Sequence, residues 1–227
     1  GGGGDTLARL VMMRVARELG QPLVVENIAG AGGNNTAVGF QSLLFNTTGN
    51  NNTANGVVAL YFNTTGSNNT AVGSSAGTTL TTGSNNTLIG KGSAPSTATV
   101  SNEITLGDSN IATLRCQVTT ITSLSDARDK ADVRTLDAGL EFIKAVEPVR
   151  FTWNMRDGGK VGEEDTGFIA QQLEAAQEYS GITIPGLVYE SNPEKLEAGY
   201  GKLVPVLVKA IQELAAKVEA LEAQLGV

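Results

Sequence analysis

The chain contains no histidine, and that absence alone removes Ser-His-Asp catalysis, Cys-His catalysis and every histidine metal site. Its single cysteine, Cys116, cannot form an intrachain disulfide and reads as a half-buried strand residue. Aromatic residues make up 5% and charged residues 17% of the 227, and from Asn34 to Thr87 there is no Asp, Glu, Lys or Arg at all. That neutral stretch holds no carboxylate pair, so glycoside hydrolysis is excluded there. Neither half carries a basic patch of the kind that neutralises phosphates, so nucleic acid is not an expected partner. No run reaches the ~18 apolar residues that a membrane span needs, so no membrane insertion is expected. The first residues lack a Met and a charged-then-apolar signal pattern, so the chain is expected to be part of a longer protein. No cofactor and no metal are expected.

The charge that is present lies mostly at one end. Residues 125–227 hold 11 basic and 18 acidic side chains, which accounts for the whole net charge of −7. The start of the chain reads differently. Asp5 is an N-cap for a helix with Leu7, Leu10, Val11, Val15 and Leu19 at helical spacing. Gly20-Gln21-Pro22 ends it, and Leu23-Val24-Val25 is a short strand. The run from Gly1-Gly2-Gly3-Gly4-Asp5 to Gly30-Ala31-Gly32-Gly33 is similar to the solute receptors of tripartite tricarboxylate transporters. That resemblance implies a glycine loop holding a carboxylate at a helix N-terminus. One helix and one strand cannot enclose a ligand, so residues 1–33 are expected to be a helix-strand remnant or arm.

A repeat follows. Asn34-Asn35-Thr36, Asn51-Asn52-Thr53, Asn68-Asn69-Thr70 and Asn85-Asn86-Thr87 recur every 17 residues. A fixed period of this kind marks a solenoid whose units stack on their neighbours. Each unit has room for two short strands and two turns. The Asn-x-Thr triplets are formally glycosylation acceptors, but Asn also tolerates left-handed turns, satisfies nearby backbone and stacks into ladders. Asn55 stands where other coils have Val38, Val72 and Ile89, so the second coil is expected to pack least well. Apolar residues such as Val38, Leu43, Leu44, Leu60, Tyr61, Phe62, Val72, Leu80, Leu88 and Ile89 are too many for one narrow coil. Burial between three chains would accommodate them; a monomeric solenoid is the alternative. The pattern resembles the β-roll repeats of trimeric autotransporter adhesin heads and of similar phage fibre shafts. Residues 93–101 read as a connector, and Asn102–Gly107 and Leu114–Val118 as strands.

Beyond Ser125 the pattern is α+β. Asp137 to Ala145 predicts a helix with Leu140, Ile143 and Val146 on its apolar face. Val149, Phe151 and Trp153 alternate as a strand, Phe168-Ile169 form another, Gln171 to Glu178 is a helix, and Val188-Tyr189 completes a small sheet. Trp153 and Phe168 read as core residues. The last helix places Val204, Leu207, Ile211, Leu214, Val218, Leu221 and Leu225 at alternating spacings of three and four, a heptad seam. β-Branched residues at one seam position with Leu at the other favour dimers by the simple rule. Flanking Leu203, Val208, Ala210 and Ala215 broaden the face and favour three or more helices. A helix packed on its own module is the remaining alternative. Pro205 falls in the first turn, where its missing N–H costs little.

At the junction, Leu124-Ser125-Asp126-Ala127-Arg128-Asp129-Lys130 carries a serine and a lysine five residues apart. By spacing alone Ser125 and Asp126 read as a surface N-cap. Taken with Gly139-Leu140-Glu141-Phe142-Ile143, Glu147-Pro148-Val149-Arg150-Phe151-Thr152-Trp153 and Gly167-Phe168-Ile169-Ala170-Gln171-Gln172-Leu173, the stretch closely resembles the endosialidase-type intramolecular chaperones. These are self-cleaving serine peptidases at the C-termini of phage tail spikes and fibres. The resemblance implies cleavage of the Leu124–Ser125 bond, with Ser125 as nucleophile, Lys130 as its base, and Asp126 and Arg128 in supporting roles. Ser–Lys is a known form of serine catalysis, and no histidine competes for the part.

The expected fold class is therefore mixed. A trimeric β-roll or β-solenoid shaft of 17-residue repeats (34–92) leads through a β connector (93–124) to an α+β self-cleaving module (125–199) and a coiled-coil helix (200–227). The expected function is that of the C-terminal part of a phage tail fibre or tailspike, assembled as a homotrimer in the host cytoplasm and located in the virion. Its mature form would meet a host-surface glycan or protein. The alternative is a trimeric adhesin that never cuts.

Overall fold

The computed structural model describes residues 24–29, 33–117 and 121–226 of the chain. The expected helix between Asp5 and Leu19 lies outside them. The chain divides into two units, Gly1–Ala112 and Thr113–Val227.

The first unit is a β-solenoid. Strands β2 (Gly33–Val38), β3 (Thr53–Asn55), β4 (Thr70–Val72), β5 (Thr87–Ile89) and β6 (Ile104–Leu106) stack in parallel, each residue paired with the one 17 positions on. The strand β1 (Val24–Ala29) runs antiparallel along β2 and occupies what would otherwise be the free edge of the sheet.

Asparagine holds the coils together. The side-chain oxygen of Asn35 accepts the backbone N–H of Asn52 at 2.8 Å. Asn52 does the same for Asn69 at 2.9 Å, and Asn69 for Asn86 at 3.0 Å. The amide nitrogens of Asn35, Asn52 and Asn69 donate to the carbonyls of Gly49, Gly66 and Gly83, each at 2.8 Å. These side chains are buried. A buried amide is tolerated because every coil supplies its partners. The preceding asparagines, Asn51, Asn68 and Asn85, sit at φ of 56°, 58° and 59°, the left-handed turn that Asn accommodates. Between these sides lies a narrow core of Ala37, Leu43, Ala54, Ala59, Leu60, Ala71, Ala76, Leu80 and Leu88.

Three expectations for the shaft need correction. Each coil has one strand, not two. The opposite side keeps its coil-to-coil hydrogen bonds, such as Leu60 N–H to the Ala76 carbonyl at 2.9 Å. Positive φ at Gln41 and Leu43, and again at Val58 and Leu60, breaks the extended run there. Asn55 is no packing defect: its column faces outward, and Val72 and Ile89 in that column are exposed. The solenoid also continues through residues 93–107. Thr81 N–H donates to the Ala98 carbonyl at 2.7 Å, and Asn86 Oδ1 accepts the Glu103 N–H at 3.0 Å. Val100 and Glu103 stand where the repeat has Gly and Asn, so the signature fades while the backbone path persists.

The second unit is a small α+β module followed by a long helix. Helix α1 (Leu140–Ala145), helix α2 (Ala170–Ser180) and the start of helix α3 (Leu203–Leu225) enclose Phe142, with Ala138, Leu173, Ala176, Ile184, Leu187, Leu203 and Val206. The α1 residue that goes inside is Phe142, while Leu140, Ile143 and Val146 are half-buried, and the helix begins after its N-cap Gly139 rather than at Asp137. Strands β7 (Val149–Thr152) and β8 (Glu164–Gly167) form an antiparallel pair, and β9 (Val188–Tyr189) pairs with β10 (Glu197–Ala198). The strand expected at Phe168-Ile169 ends at Gly167, and Ile169 is already the N-cap of α2. Phe168 packs against the core, whereas Trp153 is half-buried at its margin with its indole N–H on Asp165 at 3.2 Å.

Of the strand expected at Leu114–Val118, residues 114–117 are irregular and exposed, and Cys116 is exposed and free. Alternation alone does not make a strand without a neighbour to accept its hydrogen bonds.

Candidate active site at the Leu124–Ser125 junction

Ser125 opens a single tight turn. Asp126 caps the 3-10 segment Ala127–Asp129 by accepting the Arg128 N–H at 2.9 Å. The Arg128 guanidinium folds back on the same carboxylate, with Nη2 2.6 Å from Oδ2. This fork holds the Asp126 carboxyl below the usual carboxylate range, with the backbone bond adding to the effect. The turn ends at Lys130, whose backbone returns to extended geometry and whose N–H reaches the Ala127 carbonyl at 3.2 Å. That reversal carries the lysine side chain back, and Nζ donates to Ser125 Oγ at 2.6 Å.

The structure thus brings together the serine, the lysine, the aspartate and the arginine singled out in the sequence, in a turn of six residues. All of residues 121–135 are exposed in the single chain, Leu124 at 96%. A nearby amine acts as a base when burial removes its water, and Lys130 is exposed in the single chain. The Leu124 carbonyl accepts the Ser123 hydroxyl at 3.4 Å.

The seam residues of α3 form one exposed apolar line, from 44% for Leu207 to 77% for Leu225, through Val204, Ile211, Leu214, Val218 and Leu221. A different face, Leu203, Val206 and Ala210, packs on the module. The helix therefore does pack on its own module, but not through the seam. Residues 214–226 are all exposed.

Two structural residues carried no local sequence signal. The Tyr200 hydroxyl accepts the Phe168 N–H at 3.2 Å and donates to the Phe168 carbonyl at 3.0 Å. It fills the space that a side chain on Gly167 would need. Glu213, on α3, accepts the Leu140 N–H at the start of α1 at 2.8 Å. Neither contact was visible because the partners lie 32 and 73 residues apart. Among the described residues no helix is long and apolar enough to cross a membrane, and no cluster of three or more His, Cys, Asp or Glu could hold a metal ion.

No curated protein and no solved structure matches the chain. Residues 125–186, from the serine of the junction to the turn before β9, match the family described as the chaperone of endosialidase, a self-cleaving serine-peptidase type of domain.

Proposed function

We propose that this chain is the C-terminal part of a phage tail fibre or tailspike. Its module from Ser125 onward drives three chains together, sets the solenoid coils in register, and then releases itself by cutting Leu124–Ser125. The observation that carries the reading is the 2.6 Å contact between Lys130 Nζ and Ser125 Oγ at the first residue of the family match. The exposed seam of α3 supplies the means of association. A helix whose last three turns are exposed throughout is marginal alone and gains by pairing its apolar line.

The chemistry balances within one turn of chain. Lys130, as free amine, takes the Oγ proton while Oγ attacks the Leu124 carbonyl carbon. The tetrahedral centre collapses as the same proton passes to the Ser125 nitrogen, which leaves. An ester now joins Leu124 to Ser125 Oγ. Water hydrolyses it to a Leu124 carboxylate and a free Ser125 hydroxyl. Burial of the turn by neighbouring chains supplies the desolvation that one chain lacks, so cutting waits for assembly. The reaction runs once per chain and leaves the shaft kinetically trapped, its assembly aid gone. The host-surface partner of the mature fibre, a glycan or a protein, belongs to the same reading.

Denaturing electrophoresis with N-terminal sequencing tests it. Wild type yields a fragment that begins at Ser125, and Ser125→Ala yields none. The exposure of the junction favours one second reading, an adhesin whose module clamps three chains without cutting. An uncut wild-type trimer decides for that reading.

A further inference from the structure

Residues 121–135 are all exposed, so the position of the Ser125–Lys130 turn is set by the first anchored residues that follow it. Those are Leu136, half-buried against the module's core, and then Ala138 and Gly139, both buried. Gly139 is the N-cap of α1 and has no side chain with which to cap it. The cap comes from α3: Glu213 Oε2 accepts the Leu140 N–H at 2.8 Å. The Glu213 carboxylate occupies the place that a Cβ on Gly139 would take, so glycine is what admits it. Lys209, one turn back on α3, steadies the carboxylate from 3.3 Å. A second and longer tie, Lys217 to Glu141 at 4.0 Å, runs between the same two helices. In sequence Glu213 lies between the seam residues Ile211 and Leu214.

We infer that Glu213 is a positioning residue that links the α3 seam to the junction, so that pairing of the seams fixes α1 and, through Gly139, the segment bearing Ser125 and Lys130. Its effect on cutting rests on the self-cleavage reading; the link itself does not. Seam residues and the cap are carried on one rigid helix. When neighbouring helices hold the seam, they hold the Glu213 carboxylate too, and the start of α1 with it. Without the carboxylate, the part-buried Leu140 N–H loses its acceptor and the anchor at Ala138 and Gly139 loosens.

The test uses the full chain in two backgrounds. In uncut Ser125→Ala protein, amide exchange is followed over residues 125–143 while sedimentation reports the trimer. Trimer formation is expected to slow exchange there. Adding Glu213→Ala is expected to leave the trimer and the protection of residues 214–225 unchanged and to speed exchange over 125–143 at least tenfold. Gly139→Ala, whose methyl displaces the carboxylate, should reproduce that loss, and Glu213→Gln, which keeps an acceptor oxygen, should largely avoid it. In the cleavable background the same two Ala variants should trimerise and cut at least tenfold slower. Wild-type exchange over 125–143, or wild-type cutting, in a Glu213→Ala trimer overturns the inference. Loss of the trimer itself in Glu213→Ala also overturns it, since the carboxylate would then be a prop for the helix rather than a link. If the unmodified chain never cuts, the self-cleavage reading fails, and the exchange measurement still decides the link.

Discussion

Lys130 Nζ lies 2.6 Å from Ser125 Oγ because a single 3-10 turn, capped by Asp126, folds the chain back between them. No other basic side chain is shown bonded to that hydroxyl among the described residues, as Arg128 is engaged by Asp126. Lys130→Ala should therefore cut about 10²–10⁴-fold slower, the range for loss of a general base. It should still trimerise, since the α3 seam does not involve this turn. Electrophoresis over time, with sedimentation beside it, reads both; cutting at the wild-type rate would assign the base elsewhere.

The asparagine ladder makes the shaft sensitive at one polar residue. Asn69 Oδ1 accepts from the Asn86 backbone and side chain, each at 3.0 Å, and its amide donates to Gly83. Asn69→Ala leaves a buried N–H and a buried carbonyl without partners, which costs about 1–3 kcal/mol for each orphaned group. A denaturant melt of the shaft should shift accordingly. The outward-facing Asn55 gives the contrast: Asn55→Ala should change the stability by less than about 0.5 kcal/mol, as surface changes do. Equal effects at the two positions would mean that the ladder is not what binds coil to coil.

How much could be read beforehand follows from how local each interaction is. The 17-residue coil was legible because Asn35, Asn52, Asn69 and Asn86 meet the same surroundings each time. The last coil escaped notice because Glu103 and Val100 keep the backbone path with other side chains. Residues 114–117 alternate like a strand, yet strand formation depends on a neighbour that alternation does not reveal. The pairing of Ser125 with Lys130 meant little by spacing and gained meaning only from the motifs that follow it. Glu213 carries no signal in the sequence, since its acceptor role depends on how α1 meets α3.

The shaft should outlast the module that assembles it. Its coils are tied by side-chain and backbone hydrogen bonds repeated at every step, whereas the module rests on one small cluster around Phe142. In Ser125→Ala trimers, heat or detergent should unfold the C-terminal module first, and cut shafts should survive that treatment. A single cooperative transition for both parts would count against an independently stable shaft.

Acid should release the module by way of Glu213. The Leu140 N–H, helped by Lys209, holds the Glu213 carboxyl below its ordinary value in the folded chain. A carboxyl whose folded pKa is depressed contributes stability that is complete above its unfolded pKa and disappears as pH falls through the folded one. Asp165, lowered by the Thr166 N–H and the Trp153 indole, acts in the same direction on the β7–β8 pair. Module melting in full-length Ser125→Ala protein should therefore fall as pH drops through the carboxylate range. Glu213→Ala should melt lower at neutral pH and show a shallower pH dependence. A Glu213→Ala chain with the wild-type acid profile would show that this carboxylate is not among the groups linked to folding.

Leu214 is 51% exposed in the single chain and lies between Ile211 and Val218 on the seam. If three helices pair along that line, Leu214→Asp sets three carboxylates around one axis. Each would be desolvated beside two like charges, with no cation of the seam to offset them. The helix itself tolerates the change, because the face that packs on the module is Leu203, Val206 and Ala210. The variant should therefore fold its module and fail to trimerise. It should also fail to cut, although the substitution is remote from the junction. The Ser125–Lys130 turn is exposed in one chain, and on the self-cleavage reading the burial that frees an amine comes from the others. Sedimentation reports the assembly and electrophoresis reports the cut. A monomeric Leu214→Asp chain that cuts at the wild-type rate would mean that the turn is competent in a single subunit, and cleavage would then no longer serve as a check on assembly.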